Sequence, residues 1–202
     1  MKILLLTNEY PPHIYGGAGV HVEHLSRELA KIDQNQLQVL SFGDQKIHDP
    51  AMSISGIPPS MELSSNGLKR AKLLDTLYRN IVMTGKVESA DVIHCHTWYS
   101  HFAGCLLKQI LGAPLVVTTH SLEPHRPWKK EQLGDSYHAA SWLEKTALTN
   151  ADGIIAVSKA MKKDTQDLFG VSPERVEVIY NGIDTDRFKK IEDPETLKRY
   201  GV

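Results

Sequence analysis

Gly16 and Gly17 stand near the end of a loop, Glu9-Tyr10-Pro11-Pro12-His13-Ile14-Tyr15-Gly16-Gly17-Ala18, whose composition suits anion binding. The apolar run Ile3-Leu4-Leu5-Leu6 precedes it, and Val22, Leu25 and Leu29 follow at helical spacing. The order is strand, proline-stiffened loop, paired glycines, helix. Such a helix start aims unpaired backbone N–H groups, and the positive end of the helix dipole, at whatever stands before it. A phosphate suits that position. Proline fixes the loop, and glycine lets a ligand approach the backbone closely. A plain βα connection that needs glycine for its geometry carries the same pattern.

Other polar residues cluster where apolar runs end: Asn8 and Glu9, His94 and His96, Thr118 to His120, Ser158 and Asn181. His94 and His96 lie two apart and share a strand face. Cys95 and His101 nearby raise the question of a metal. The spacing offers no convincing fourth ligand, and no metal is expected. Trp98 and Tyr99 suit either a sugar-stacking surface or the core. Glu144 reads as a buried capping or packing carboxylate. Arg126, Lys129 and Lys130 read as solvated cations, with a phosphate in the cleft as the other role open to them.

The elements that must position these residues alternate. Strands are expected over Lys2 to Thr7, Leu37 to Phe42, Asp91 to His94, Leu115 to Thr119, Gly153 to Val157 and Val176 to Ile179. Helices are expected over Gly17 to Lys31, Leu68 to Glu88, Tyr99 to Leu111, Ser136 to Asn150 and Ser158 to Phe169. The strands are nearly continuous apolar runs, as in a sheet covered on both faces. The fold class is α/β: a doubly wound, Rossmann-like parallel sheet with right-handed crossovers. Ligands of such sheets bind outside the C-terminal ends of the strands, where the polar residues fall. Gly43 to Asn66, with three prolines and several serines, is expected to be an irregular surface excursion. Ser121 to Gly134 is a candidate lid or acceptor wall. Asp193-Pro194-Glu195 has the signature of a helix start, Asp as cap and Pro in the first turn.

The 202 residues are 41% hydrophobic and 23% charged, with a net charge of −1. That is ordinary globular composition, and it argues against a nucleic-acid surface or a membrane-binding patch. The two cysteines, Cys95 and Cys105, read as free thiols in a reducing compartment. A cytoplasmic location is expected, since the leading apolar run is too short for a signal sequence or a span.

Five pieces, taken in order, resemble the N-terminal domain of glycogen or starch synthases, retaining glycosyltransferases of the two-domain GT-B fold. They are Glu9-Tyr10-Pro11-Pro12 with Gly16-Gly17, Val92 to Trp98, Thr118-Thr119-His120, Ala151 to Ser158, and Tyr180-Asn181-Gly182-Ile183-Asp184. The resemblance implies one half of a GT-B enzyme: an acceptor-side domain over 1–188, with 189–202 as linker and start of a nucleotide-sugar-binding domain absent here. It implies transfer of glucose from ADP-glucose or UDP-glucose to an α-1,4-glucan end with retention, without a metal or other cofactor. A related acceptor, such as a sugar phosphate in a maltose-1-phosphate or sucrose-phosphate type of synthase, is the alternative.

By the same resemblance, His120 is the catalytic candidate, a neutral hydrogen-bonding group facing the donor sugar. Glu9 lies on the acceptor side, Gly16 and Gly17 approach the diphosphate, and Asn181 lies near the interdomain turn. His96 is an acceptor-side or packing residue. Three positions depart from the family pattern: Ile14 replaces a lysine, and Gly19 and Thr97 replace aspartates. The diphosphate is then bound mostly by the other domain.

Two other classes share parts of this pattern. A nicotinamide-dependent oxidoreductase needs glycines directly after the first strand, and no G-x-G-x-x-G is present. A non-catalytic carbohydrate-binding module remains an alternative.

Overall fold

The computed structural model describes residues 1–201 except 66, 69, 187 and 189–192. In chain order the elements are β1 (Lys2–Leu6), α1 (Gly17–Ala30), β2 (Gln36–Phe42), β3 (Lys46–His48), β4 (Met52–Ile57), α2 (Met61–Ser65), α3 (Ala71–Gly85), β5 (Val92–His96), α4 (His101–Leu111), β6 (Leu115–Thr119), α5 (Lys129–Leu133), α6 (Ser136–Asn150), β7 (Gly153–Ala156), α7 (Lys159–Phe169), β8 (Val176–Val178) and α8 (Pro194–Arg199).

The strands form one sheet in the order β3-β4-β2-β1-β5-β6-β7-β8. Every neighbouring pair is parallel except β3 with β4. Apolar runs become strands because both sheet faces are covered. Ile3 and Leu5 pack with Val22 of α1 and with Val39 on one face. Leu4 and Leu6 pack with Leu107 of α4 and with Leu115 on the other. This alternation is the doubly wound arrangement that the sequence implies. Gly104 of α4 has no room for a larger side chain, since a Cβ there would meet Cys95 Sγ at 2.2 Å. That close approach seats α4 against β5.

Strand order reverses between β1 and β5, because successive strands run outward from β1 in opposite directions. A ligand crevice belongs at this switch point. The loops after β1 and β5 flank it and are tied together: Thr97 Oγ1 donates to Asn8 Oδ1 at 2.7 Å. Thr97 holds φ +67°, a conformation unusual for a β-branched residue.

The segment expected to be irregular is partly ordered. Residues 43–66 contain β3, β4 and α2. Met52-Ser53-Ile54-Ser55-Gly56-Ile57 becomes a strand by pairing with β2, which its own propensity does not announce. The 121–134 stretch holds a 3₁₀ turn (Glu123–His125) and α5. The helix expected from Tyr99 starts at His101, after a 3₁₀ turn over Trp98–Ser100. Asp193 caps α8 as expected, accepting from the N–H of Thr196 at 3.1 Å. Of the expected linker over 189–202, residues 189–192 and 202 lie outside the described residues. No described helix is long and apolar enough to cross a membrane.

Candidate functional site

A cleft of about 1300 Å³ opens at the C-terminal ends of the strands. Its walls include Glu9, Gly16, Gly17, His120 and Asn181, five of the six residues singled out from the sequence.

The glycine loop carries its own anion. The Glu9 carboxylate accepts from the backbone N–H groups of Tyr15 at 2.9 Å and Gly16 at 2.8 Å, both through Oε2. Gly16 is the N-cap of α1 and offers no side chain, and the first turn holds no acidic residue. Glu9 therefore supplies, from the strand end, the negative group that a helix start favours. Gly19 makes this possible: a Cβ there would stand 2.8 Å from Glu9 Cβ. Asn8 Nδ2 donates to the other oxygen of Glu9 at 3.5 Å, a long contact. The structure thus puts an internal carboxylate at Gly16, one of the two glycines where a phosphate is expected, and at its neighbour Tyr15.

His120 follows β6 and is backed by two imidazoles. His96, fully buried as the last residue of β5, shares a hydrogen bond with it between His96 Nδ1 and His120 Nε2 at 3.1 Å. His21 of α1 meets the His120 ring edge-on at 4.8 Å. The Asn181 side chain stands near His21 and slightly favours its charged form, against the larger effect of burial. Burial disfavours the imidazolium in all of these. It lowers the pKa of His120 to about 4, aided by His21, and pushes His96 well below its ordinary value. A His–His hydrogen bond needs one ring to donate and the other to accept, which neutral rings satisfy.

His96 packs beneath His120 rather than lining the cleft, so it supports the catalytic candidate and does not face a ligand. His94 lies under His96, with rings 4.2 Å apart, and is bonded through Nε2 to Thr118 Oγ1 at 2.7 Å. The grouping of His94, His96, Cys95 and His101 is not what the fold assembles. Cys95 faces the α4 side, with Sγ directed to the Ser100 carbonyl. Among the described residues, the set able to hold a metal is His21, His96 and His120, whose nitrogens lie within 4.8 Å of one another. His21 escaped the sequence reading. Its only local signal is its place on the first turns of the helix after the glycine loop.

The 121–134 segment forms another wall. Glu123, 2% exposed, holds Lys129 Nζ at 3.4 Å and Arg126 at 3.7 Å through Oε1. Arg126 also donates to Ser121 Oγ at 3.1 Å, beside His120 in sequence. Glu144 is buried as expected and accepts the N–H of Glu123 at 2.9 Å. Burial raises its pKa to about 8, so it is mainly neutral at pH 7. Arg126 and Lys129 are therefore not simply solvated, while Lys130 is exposed. Trp98 is core, packed with Ala140 and Leu143 and stacked on Tyr99.

The sequence matches the family described as Glycosyltransferase Family 4 over residues 15–187. The chain belongs to glycosyltransferase family 4. It is 39% identical to an alpha-maltose-1-phosphate synthase of Mycolicibacterium smegmatis, covering all of this chain and 50% of that protein. It is 28% identical to a glycogen synthase of Mycobacterium tuberculosis, covering 93% of this chain and 50% of that one. The fold superposes on the HepE protein of Anabaena, solved in complex with UDP-glucose, with a TM-score of 0.65 and 19% identity, covering all of this chain and 50% of that one. The chain thus spans about half the length of these relatives. Within family 4, the GT-B resemblance inferred from the sequence motifs agrees with both the sequence match and the fold.

Proposed function

We propose that this chain is the acceptor-side half of a glucosyltransferase that takes glucose from a nucleotide sugar, ADP-glucose or UDP-glucose, and retains the α configuration. The carrying observation is His120, a neutral imidazole held from below by His96 and from the side by His21 at the wall of the switch-point cleft. A neutral donor or acceptor suits a sugar ring on which positive charge develops, where an imidazolium would oppose it.

The route needs no protein nucleophile. The bond from the anomeric carbon to the diphosphate oxygen breaks, and the acceptor hydroxyl oxygen bonds to the same face of that carbon. The hydroxyl proton passes to the departing phosphate. Charge on the diphosphate must be met by N–H groups, a helix end or cations. Two loop N–H groups are already held by Glu9, so the remaining first turn of α1 contributes and a second α/β domain after about residue 188 supplies the rest. No metal or organic cofactor enters this route. The two free cysteines fit a cytoplasmic enzyme.

For the acceptor, a phosphorylated sugar is favoured. The maltose-1-phosphate synthase relative is nearer in identity than the glycogen synthase, at 39% against 28%. A glucan end is the second reading, carried by the glycogen synthase match.

The test is transfer of radiolabelled glucose by the full-length protein, with both donors offered to glucose 1-phosphate, maltose and glycogen. Labelled product from glucose 1-phosphate is expected. If no sugar nucleotide supports transfer to any acceptor, the enzyme reading fails and a binding module takes its place.

A further inference from the structure

We propose that Arg126 and Lys129 form the subsite for the acceptor's phosphate, with Glu123 as the internal anion that holds both cations ready. The inference rests on the phosphorylated-acceptor reading above and adds where the phosphate is read.

Position comes first. Both cations, Glu123 and His120 line the same cleft. The guanidinium of Arg126 reaches back to Ser121, the neighbour of His120. The glycine loop follows β1, whereas these cations follow β6, and β5 lies between the two strands. The site therefore offers two anion-attracting places on opposite sides of β5. One suits the leaving diphosphate and the other a phosphate carried by the attacking sugar.

Charge comes next. Two cations share one buried carboxylate, and the neighbouring Glu144 is mainly neutral at pH 7. The wall keeps an excess of positive charge in a low-dielectric setting, where a phosphate is bound more strongly than on an open surface. The pairing is also loose. At 3.4 and 3.7 Å, neither cation makes a short bond to Glu123, so donor hydrogens remain for a ligand. Lys129 lies across the Tyr99 ring, 5.8 Å from its centre, and its side chain is only 12% exposed. That is a held lysine, unlike the exposed Lys130.

The third observation is an unmet acceptor. Glu123 Oε2 is buried with no hydrogen-bond partner among the described residues. Buried oxygens are almost always satisfied, so an orphan calls for an explanation. A sugar phosphate brings both halves of the answer. Its phosphate draws on the cations, and its hydroxyls are the donors that Oε2 lacks.

The experiment uses the full-length enzyme and measures initial rates against glucose 1-phosphate and against the nucleotide sugar separately. Arg126→Gln and Lys129→Gln are each expected to raise the acceptor KM by about tenfold or more, the loss of one charge-assisted hydrogen bond. The donor KM should stay near its starting value, and Lys129→Arg should recover most of the acceptor affinity. Lys130→Gln controls for general charge and should change neither constant. Inorganic phosphate should compete with the acceptor in the unmodified enzyme and lose potency in both variants. An unchanged acceptor KM in both glutamine variants overturns the subsite while leaving the function above intact. A rise in donor KM instead assigns the cations to the diphosphate and also overturns it. If the unmodified enzyme transfers only to unphosphorylated glucans, the acceptor reading itself falls, and the subsite with it.

Discussion

Glu9 Oε2 lies 2.8 Å from the backbone nitrogen of Gly16, so a carboxylate from seven residues earlier stands against the N-cap residue of the helix that follows the glycine loop. The contact depends on Gly19, which leaves the space the carboxylate occupies.

Removing the carboxylate should therefore destabilise the domain without touching the core. Glu9→Ala is expected to cost about 1–3 kcal/mol, the range for a hydrogen-bonded charge. Gly19→Ala should cost a similar amount by pushing Glu9 aside. In the Glu9→Ala background Gly19→Ala should cost less, because the carboxylate oxygen at 3.0 Å is gone, but some cost should remain, because alanine keeps the Cβ at 2.8 Å. Urea denaturation of the four proteins measures the coupling, and simple additivity would contradict the arrangement.

The same contact shows where sequence legibility ends. The strand-loop-glycine-helix order was readable because the apolar runs and glycines are local signals. Which anion meets the Gly16 N–H was not, because it depends on how the loop folds back. His21 is a similar case: 99 positions separate it from His120, and only the packing of α1 on the sheet joins them. Strands β1, β2, β5 and β6 were legible because both faces are buried and apolar residues predominate in each run. β4 was not, since serines and a glycine dilute its pattern and Pro50 and Pro58 bracket it. Cations such as Arg126 and Lys129 look solvated until the fold places a buried Glu123 beside them.

His120 should govern the chemical step. In the full-length enzyme, His120→Ala is expected to lower kcat by about 100-fold or more, in line with loss of a transition-state hydrogen-bonding group. Neutral His120 is the working form, and its pKa is lowered to about 4. Any part of the pH profile that reports His120 should thus be flat through neutrality and fall only as pH approaches 4. An acid limb centred near 6.5 would contradict this burial.

Acid should also weaken the fold. His94 and His101 are held near pKa 3, and His120 near 4, against 6.5 for a free imidazole. Their unfolded forms take up protons first, so their contribution is full above pH 6.5 and is lost as pH falls toward 3–4. Glu144 has the opposite sign. Its carboxyl is neutral in the fold up to about pH 8 but ionises near 4.5 when unfolded. Its contribution is full below 4.5 and is lost as pH rises through 8. Glu144→Gln should therefore raise the melting temperature at pH 8, by about 1–3 kcal/mol in stability, and flatten the profile between 4.5 and 8. Thermal melts across that range check it.

Metal should be dispensable yet inhibitory. EDTA-treated enzyme is expected to keep full transfer activity. Added Ni²⁺ or Zn²⁺ should inhibit, because His21, His96 and His120 present three neutral nitrogens close together. His21→Ala should raise the inhibitory concentration by about tenfold, judged by transfer assays at graded metal concentration. Equal sensitivity in the variant would place the inhibition elsewhere.

Thr97 gives the cleft a mechanical property. Its left-handed backbone angle and its bond to Asn8 fasten the loop after β5 to the loop after β1. Asn8 in turn touches Glu9, and Glu9 grips the start of α1. The two sides of the crevice are thereby joined. This chain of contacts runs from the glycine loop to the strand end that carries His96, and so to the floor under His120.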